Sequence, residues 1–111
     1  MQGKEREVMK SQTVESSIID GVAGLDPITV FWEDVAPGKG NVTIHCYGEA
    51  WTAWFGGMGN RTIKQFFSEV GSDYMASKLH GAQFQKRTKA HEKYLTHIVK
   101  AIQVALIEST I

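Results

Sequence analysis

One cysteine, two prolines and no long apolar run set the first limits on this chain of 111 residues. A single thiol, Cys46, closes no intrachain disulfide, so stability must come from a packed core. A reducing, cytoplasmic setting is the simplest expectation. No stretch approaches the roughly 18 to 20 apolar residues that cross a bilayer, and no membrane partner is expected. The first seven residues, Met1-Gln2-Gly3-Lys4-Glu5-Arg6-Glu7, hold no apolar signal core. Gly3 stands one position late for myristoylation. Zinc takes several Cys or His ligands at close spacing. His45 and Cys46 are adjacent and diverge on a strand, so neither a metal nor a cofactor is expected.

Net charge is absent as well, but its distribution is uneven. Residues 1 to 60 carry four basic and eight acidic side chains, leaving −4. Residues 61 to 100 carry eight basic and three acidic, leaving +5, and Glu108 adds −1 beyond them. Such a dipole is either an ordinary solvated surface or the footprint of an anionic partner or of head-to-tail association.

What is present is a 42% hydrophobic fraction, enough for one globular domain at this length. Residues 1–24 read as a polar N-terminal arm, with a short helical turn near Glu5–Lys10 and with Val14, Ile18 and Ile19 as anchors. Residues 25–111 read as a single α+β domain. Ile28, Val30 and Trp32 alternate with Thr29, Phe31 and Glu33, and Val42, Ile44 and Cys46 alternate with Thr43, His45 and Tyr47. Trp51, Ala53 and Phe55 alternate with Thr52 and Trp54. This is strand periodicity, broken by the turn residues Pro37-Gly38-Lys39-Gly40 and by Gly48. The expectation is a three-stranded antiparallel sheet over residues 27 to 56, with large apolar groups on both faces.

After the sheet, Thr62 and Gln65 have capping-box spacing for a helix that Gly71 ends. Ser72 or Asp73 caps a shorter helix that stops at Gly81, and Gln83 to Arg87 form a polar connector. From Thr88 to Glu108, Tyr94, Leu95, Ile98, Ala101, Ile102, Ala105 and Leu106 recur at three- and four-residue steps. That long amphipathic C-terminal helix is expected to pack on the sheet, burying Ile98 and Ile102.

Catalytic signatures are missing. Gly56-Gly57-Met58-Gly59-Asn60-Arg61-Thr62 lacks the Gly-Lys-Ser/Thr ending of a phosphate loop. It reads as a strand-to-helix connection needing positive φ, or as a generic anion site at a helix start. His45, His80, His91 and His97 show no nucleophile-and-base arrangement, and Glu33-Asp34 reads as a solvated strand end. No enzyme activity is expected. The basic run Lys86-Arg87-Lys89-Lys93-His97-Lys100 is a solvated helix face or a track for a phosphate backbone, with Trp54 or Tyr47 as stacking groups.

Several motifs resemble small accessory proteins of tailed bacteriophages and prophages. They are Ile28-Thr29-Val30-Phe31-Trp32-Glu33-Asp34, Pro37-Gly38-Lys39-Gly40, Trp51-Thr52-Ala53-Trp54-Phe55-Gly56-Gly57-Met58-Gly59 and Tyr94-Leu95-Thr96-His97-Ile98-Val99. The similarity covers residues 26 to 107 and transfers no functional residue. It implies a non-enzymatic protein of the host bacterial cytoplasm that binds and inhibits or redirects a host protein. A nuclease, a replication or recombination enzyme or a defence complex would be the target. The alternative is a nucleic-acid-binding factor in phage recombination or replication.

The expected contact surface is Trp54, Met58, Asn60 and Arg61, flanked electrostatically by Lys89, Lys93 and Lys100. Trp and Arg dominate interface energetics, and a glycine-rich loop lets them approach a partner. Aromatics on both sheet faces exceed what one helical layer covers, which points to a homodimer or to a stable complex with a host protein.

Overall fold

The computed structural model describes residues 8–9, 14–81 and 88–109. Strands β1 (Glu15–Ile19), β2 (Ile28–Ala36), β3 (Lys39–Cys46) and β4 (Glu49–Phe55) form one antiparallel meander in sequence order. Helices α1 (Ile63–Glu69), α2 (Ser72–Gly81) and α3 (Lys89–Ser109) follow.

The sheet therefore has four strands, not three. The additional strand, β1, comes from the stretch expected to be a polar arm, and it pairs with β2 from Glu15↔Trp32 to Ile19↔Ile28. Two side-chain contacts fix it in place. Trp32 donates its indole N–H to Ser17 Oγ at 3.1 Å, and Lys64 of α1 forms an ion pair with Glu15. The turn expected near Glu5–Lys10 and the connector Gln83–Arg87 lie outside the described residues.

Alternation places one half of β2, β3 and β4 in the core. Ile28, Val30, Trp32, Val42, Ile44, Cys46, Trp51, Ala53 and Phe55 all face the helices and are buried. They meet Ile63 and Phe67 of α1, Met75 and Leu79 of α2, and Leu95, Ile98, Val99 and Ile102 of α3 in one cluster. Burying each large aliphatic or aromatic group stabilises the fold by roughly 1.5 to 3 kcal/mol. Aromatic pairs orient the layers: Trp32 meets Phe67 edge-on at 5.4 Å, and Phe55 meets Phe66 at 5.0 Å. Ile98 and Ile102 are fully buried, as their spacing predicts.

Local signals are realised closely. Thr62 is the N-cap of α1, and its capping box with Gln65 is complete. Thr88 Oγ1 accepts from the His91 N–H at the start of α3. The β3–β4 connection is a two-residue turn in which Tyr47 and Gly48 have φ of 52° and 76°, the twist that suits a tight hairpin. Gly71 does not end α1 as expected. The helix closes at Val70 in an extended conformation, and Gln103 of α3 donates to the carbonyls of Phe67 and Val70. A side chain from another helix satisfies the helix end, so no left-handed glycine is needed.

Candidate partner-binding surface

The three helices cover one face of the sheet. The opposite face is open because the same alternation that buries Trp32 and Phe55 turns Phe31 and Trp54 outward. Cross-strand register aligns Ser16 with Phe31, Phe31 with Thr43, and Thr43 with Thr52. Thr43 and Thr52 join their hydroxyls at 3.2 Å. Phe31 packs edge-on against His45 with ring centroids 5.2 Å apart. Asn41 donates to Glu33 Oε1 at 2.9 Å across the β2–β3 pair. A hollow of about 360 Å³ lies over this face, lined by Val14, Phe31, Glu33, Asn41, Thr43 and His45.

Trp54 sits at the β4 side of the face and is 54% exposed. Its ring rests against the backbone of Gly56, where an added Cβ would lie 3.2 Å from the indole nitrogen. Tyr47 projects from the neighbouring hairpin turn and is also exposed. Among the described residues, Glu33 and His45 are the ionisable groups of the face, with Lys39 at its hairpin margin.

The surface expected from the sequence does not form as one patch. Met58 is a core residue with 1% exposure, so it leaves the set. Its backbone N–H donates to the Gly38 carbonyl at 2.9 Å, which locks the glycine loop onto the β2–β3 turn. Arg61 folds back onto Glu69 of α1 and onto the Met58 carbonyl, so its charge is already partnered. Asn60 is exposed at the loop. Lys89, Lys93 and Lys100 line an open groove on the helical layer with Asp73, Glu92 and His97. The sheet and the core lie between those lysines and Trp54, so they do not flank it.

The glycine loop is structural. Gly38 and Gly59 have φ of 73° and 69°, and a Cβ on Gly38 would lie 2.4 Å from the Gly59 carbonyl oxygen. Gly38→Ala is expected to destabilise the fold by about 1 to 3 kcal/mol from backbone strain alone, with the clash added to it. Urea unfolding checks this against Gly57→Ala, whose added Cβ meets open space. An anion site at the start of α1 is also displaced. Asp34 Oδ1 accepts from the Ile63 N–H at 2.8 Å and brings its own negative charge to that terminus.

The histidines do not form one cluster. His45 is on the open face, buried His80 of α2 lies edge-on to His91 of α3 with ring centroids 6.3 Å apart, and His97 approaches Gly24. No group of three or more metal-ligating side chains occurs among the described residues. Cys46 is buried, donating to the Asp26 carbonyl and accepting from the Tyr94 hydroxyl. Burial, then the bond to Cys46, pushes the Tyr94 hydroxyl above the usual tyrosine range. None of the described helices is long and apolar enough to cross a membrane.

No curated protein and no solved structure matches this chain. A family model does match, over residues 7–104, and it is described as a phage family, Phage_phiTE_072. The matched span includes all four strands, α1, α2 and most of α3. On that match, the chain belongs to this phage protein family.

Proposed function

We infer that this protein is a non-enzymatic phage accessory factor of the host cytoplasm. It binds a host protein, such as a nuclease, a replication or recombination enzyme or a defence complex, and inhibits or redirects it. The observation that carries the reading is the open sheet face. It offers Phe31, Trp54, three threonine hydroxyls and a hollow, and between its margins it carries no lysine or arginine. Apolar and aromatic area with few charges suits the centre of a protein–protein contact.

A nucleic-acid surface needs stacking aromatics and basic groups on the same side. Here the aromatics face away from the sheet and the lysines face away from the helical layer. That separation favours the protein partner over nucleic acid.

The reading is tested by capture from nuclease-treated host lysate, with quantitative mass spectrometry. Thr52→Arg puts a long charged side chain at an exposed position of the face, on β4 between Thr43 and the sheet edge. The variant is expected to keep its circular dichroism spectrum and to lose a protein that the wild type retains. Equal recovery by both proteins, or recovery that disappears on nuclease treatment, would overturn the reading.

A further inference from the structure

A second apolar groove, separate from the open face, runs between β1 and the C-terminal half of α3 and encloses about 630 Å³. Its helical wall recurs at three- and four-residue steps: Lys100, Ala101, Val104, Ala105 and Glu108. Its other wall is Ile19 at the end of β1 and the turn Asp20, Gly21 and Val22, with Ile18 at its rim. Val104 stands out on this groove at 54% exposure. Ala101 and Ala105 are small, which leaves the helix backbone approachable. Lys100 and Glu108 stand two turns apart at the ends of this stripe with opposite charge. Neither takes part in an ion pair among the described residues.

We propose that this groove is a homodimer interface, in which α3 packs antiparallel against α3 of a second copy about a twofold axis near Val104. A twofold contact joins a patch to itself. In the antiparallel arrangement Lys100 of each copy meets Glu108 of the other, and Val104 meets its own equivalent. A parallel arrangement would set Lys100 against Lys100 and Glu108 against Glu108. The charge pattern therefore selects both the occupant and its direction. Alanines on the contact line permit interaxial distances near the lower end of the usual 8 to 10 Å.

The contact is modest. Residues 100 to 108 span about 12 Å of helix axis, so the buried area falls at the low end of specific interfaces, below about 1,200 Å². The dimer is accordingly expected to dissociate on dilution.

Sedimentation and light scattering over a concentration series test the proposal. The wild type should rise from 12.3 kDa to about twice that mass as concentration increases. Lys100→Glu and Glu108→Lys should each remain monomeric, because each sets like charges together twice. The double reversal K100E/E108K should recover the dimer, and Val104→Glu should abolish it. All three positions are exposed, so circular dichroism should be unchanged in every variant. A wild type that stays monomeric at every concentration overturns the proposal. So does a dimer that survives Val104→Glu and both single reversals, and its loss on Thr52→Arg would assign it to the open sheet face. A double reversal that stays monomeric overturns the charge pairing.

Discussion

Replacing Ile102 by alanine is expected to cost the domain about 2 to 5 kcal/mol, read from the urea midpoint at unchanged slope. Ile102 has no exposed surface and belongs to the cluster that joins α3 to the sheet. Truncation removes three methyl or methylene groups and leaves a cavity. The other members of that cluster belong to elements already held by other contacts, so collapse is limited. A domain of this size has a total stability of only about 5 to 15 kcal/mol. The substitution thus removes a large share of it, and the variant is expected to populate unfolded chain at moderate temperature. A loss below about 0.5 kcal/mol, the scale of surface substitutions, would mean that α3 is not packed as described.

The second large effect concerns binding. Trp54→Ala is expected to weaken the captured host partner by about thirtyfold or more, the range of an interface hot spot of 2 kcal/mol, while leaving stability nearly unchanged. Trp54 lies outside the core cluster, is 54% exposed and rests its ring beside Gly56. What it offers is contact area with a polar indole N–H, held on a rigid strand between the buried Ala53 and Phe55. Converting Lys89, Lys93 and Lys100 together to alanine is expected to leave that affinity within a few-fold. They lie on the helical layer beside Asp73 and Glu92, away from Trp54. Titration calorimetry of both variants against the purified partner checks the contrast.

Much of this fold is legible in local chemistry. Alternation from Ile28 to Phe55 marks three strands and assigns each side chain to its face. The Thr62/Gln65 pair marks the start of α1, and the spacing from Tyr94 to Leu106 marks α3 and its buried stripe. β1 is not legible because Glu15-Ser16-Ser17-Ile18-Ile19 is mostly polar, with no alternation of its own. It is a strand because β2 supplies a ladder, Ser17 meets the Trp32 indole, and Lys64 meets Glu15. Those partners are remote in sequence, so a local window does not contain them.

Exposure at the candidate surface was legible in part. That of Trp54 follows from alternation alone. The burial of Met58 does not, because a residue in a glycine-rich loop reads as exposed unless the loop folds down, as this one does onto Gly38. The separation of Trp54 from the lysines depends on which face of the sheet receives the helices. Periodicity gives the two faces but does not tell which neighbour covers each.

Quenching of tryptophan fluorescence by acrylamide tests the working surface most directly. Trp32 and Trp51 are buried at 3% and 7% exposure, against 54% for Trp54, so Trp54 dominates the quenchable emission of the free protein. Trp54→Phe should remove that component and leave the shielded emission in place. Adding the captured host partner to the wild type should suppress quenching to the level of the variant. Quenching that is unchanged in the saturated complex would show that the partner docks away from the open sheet face, and would contradict the account.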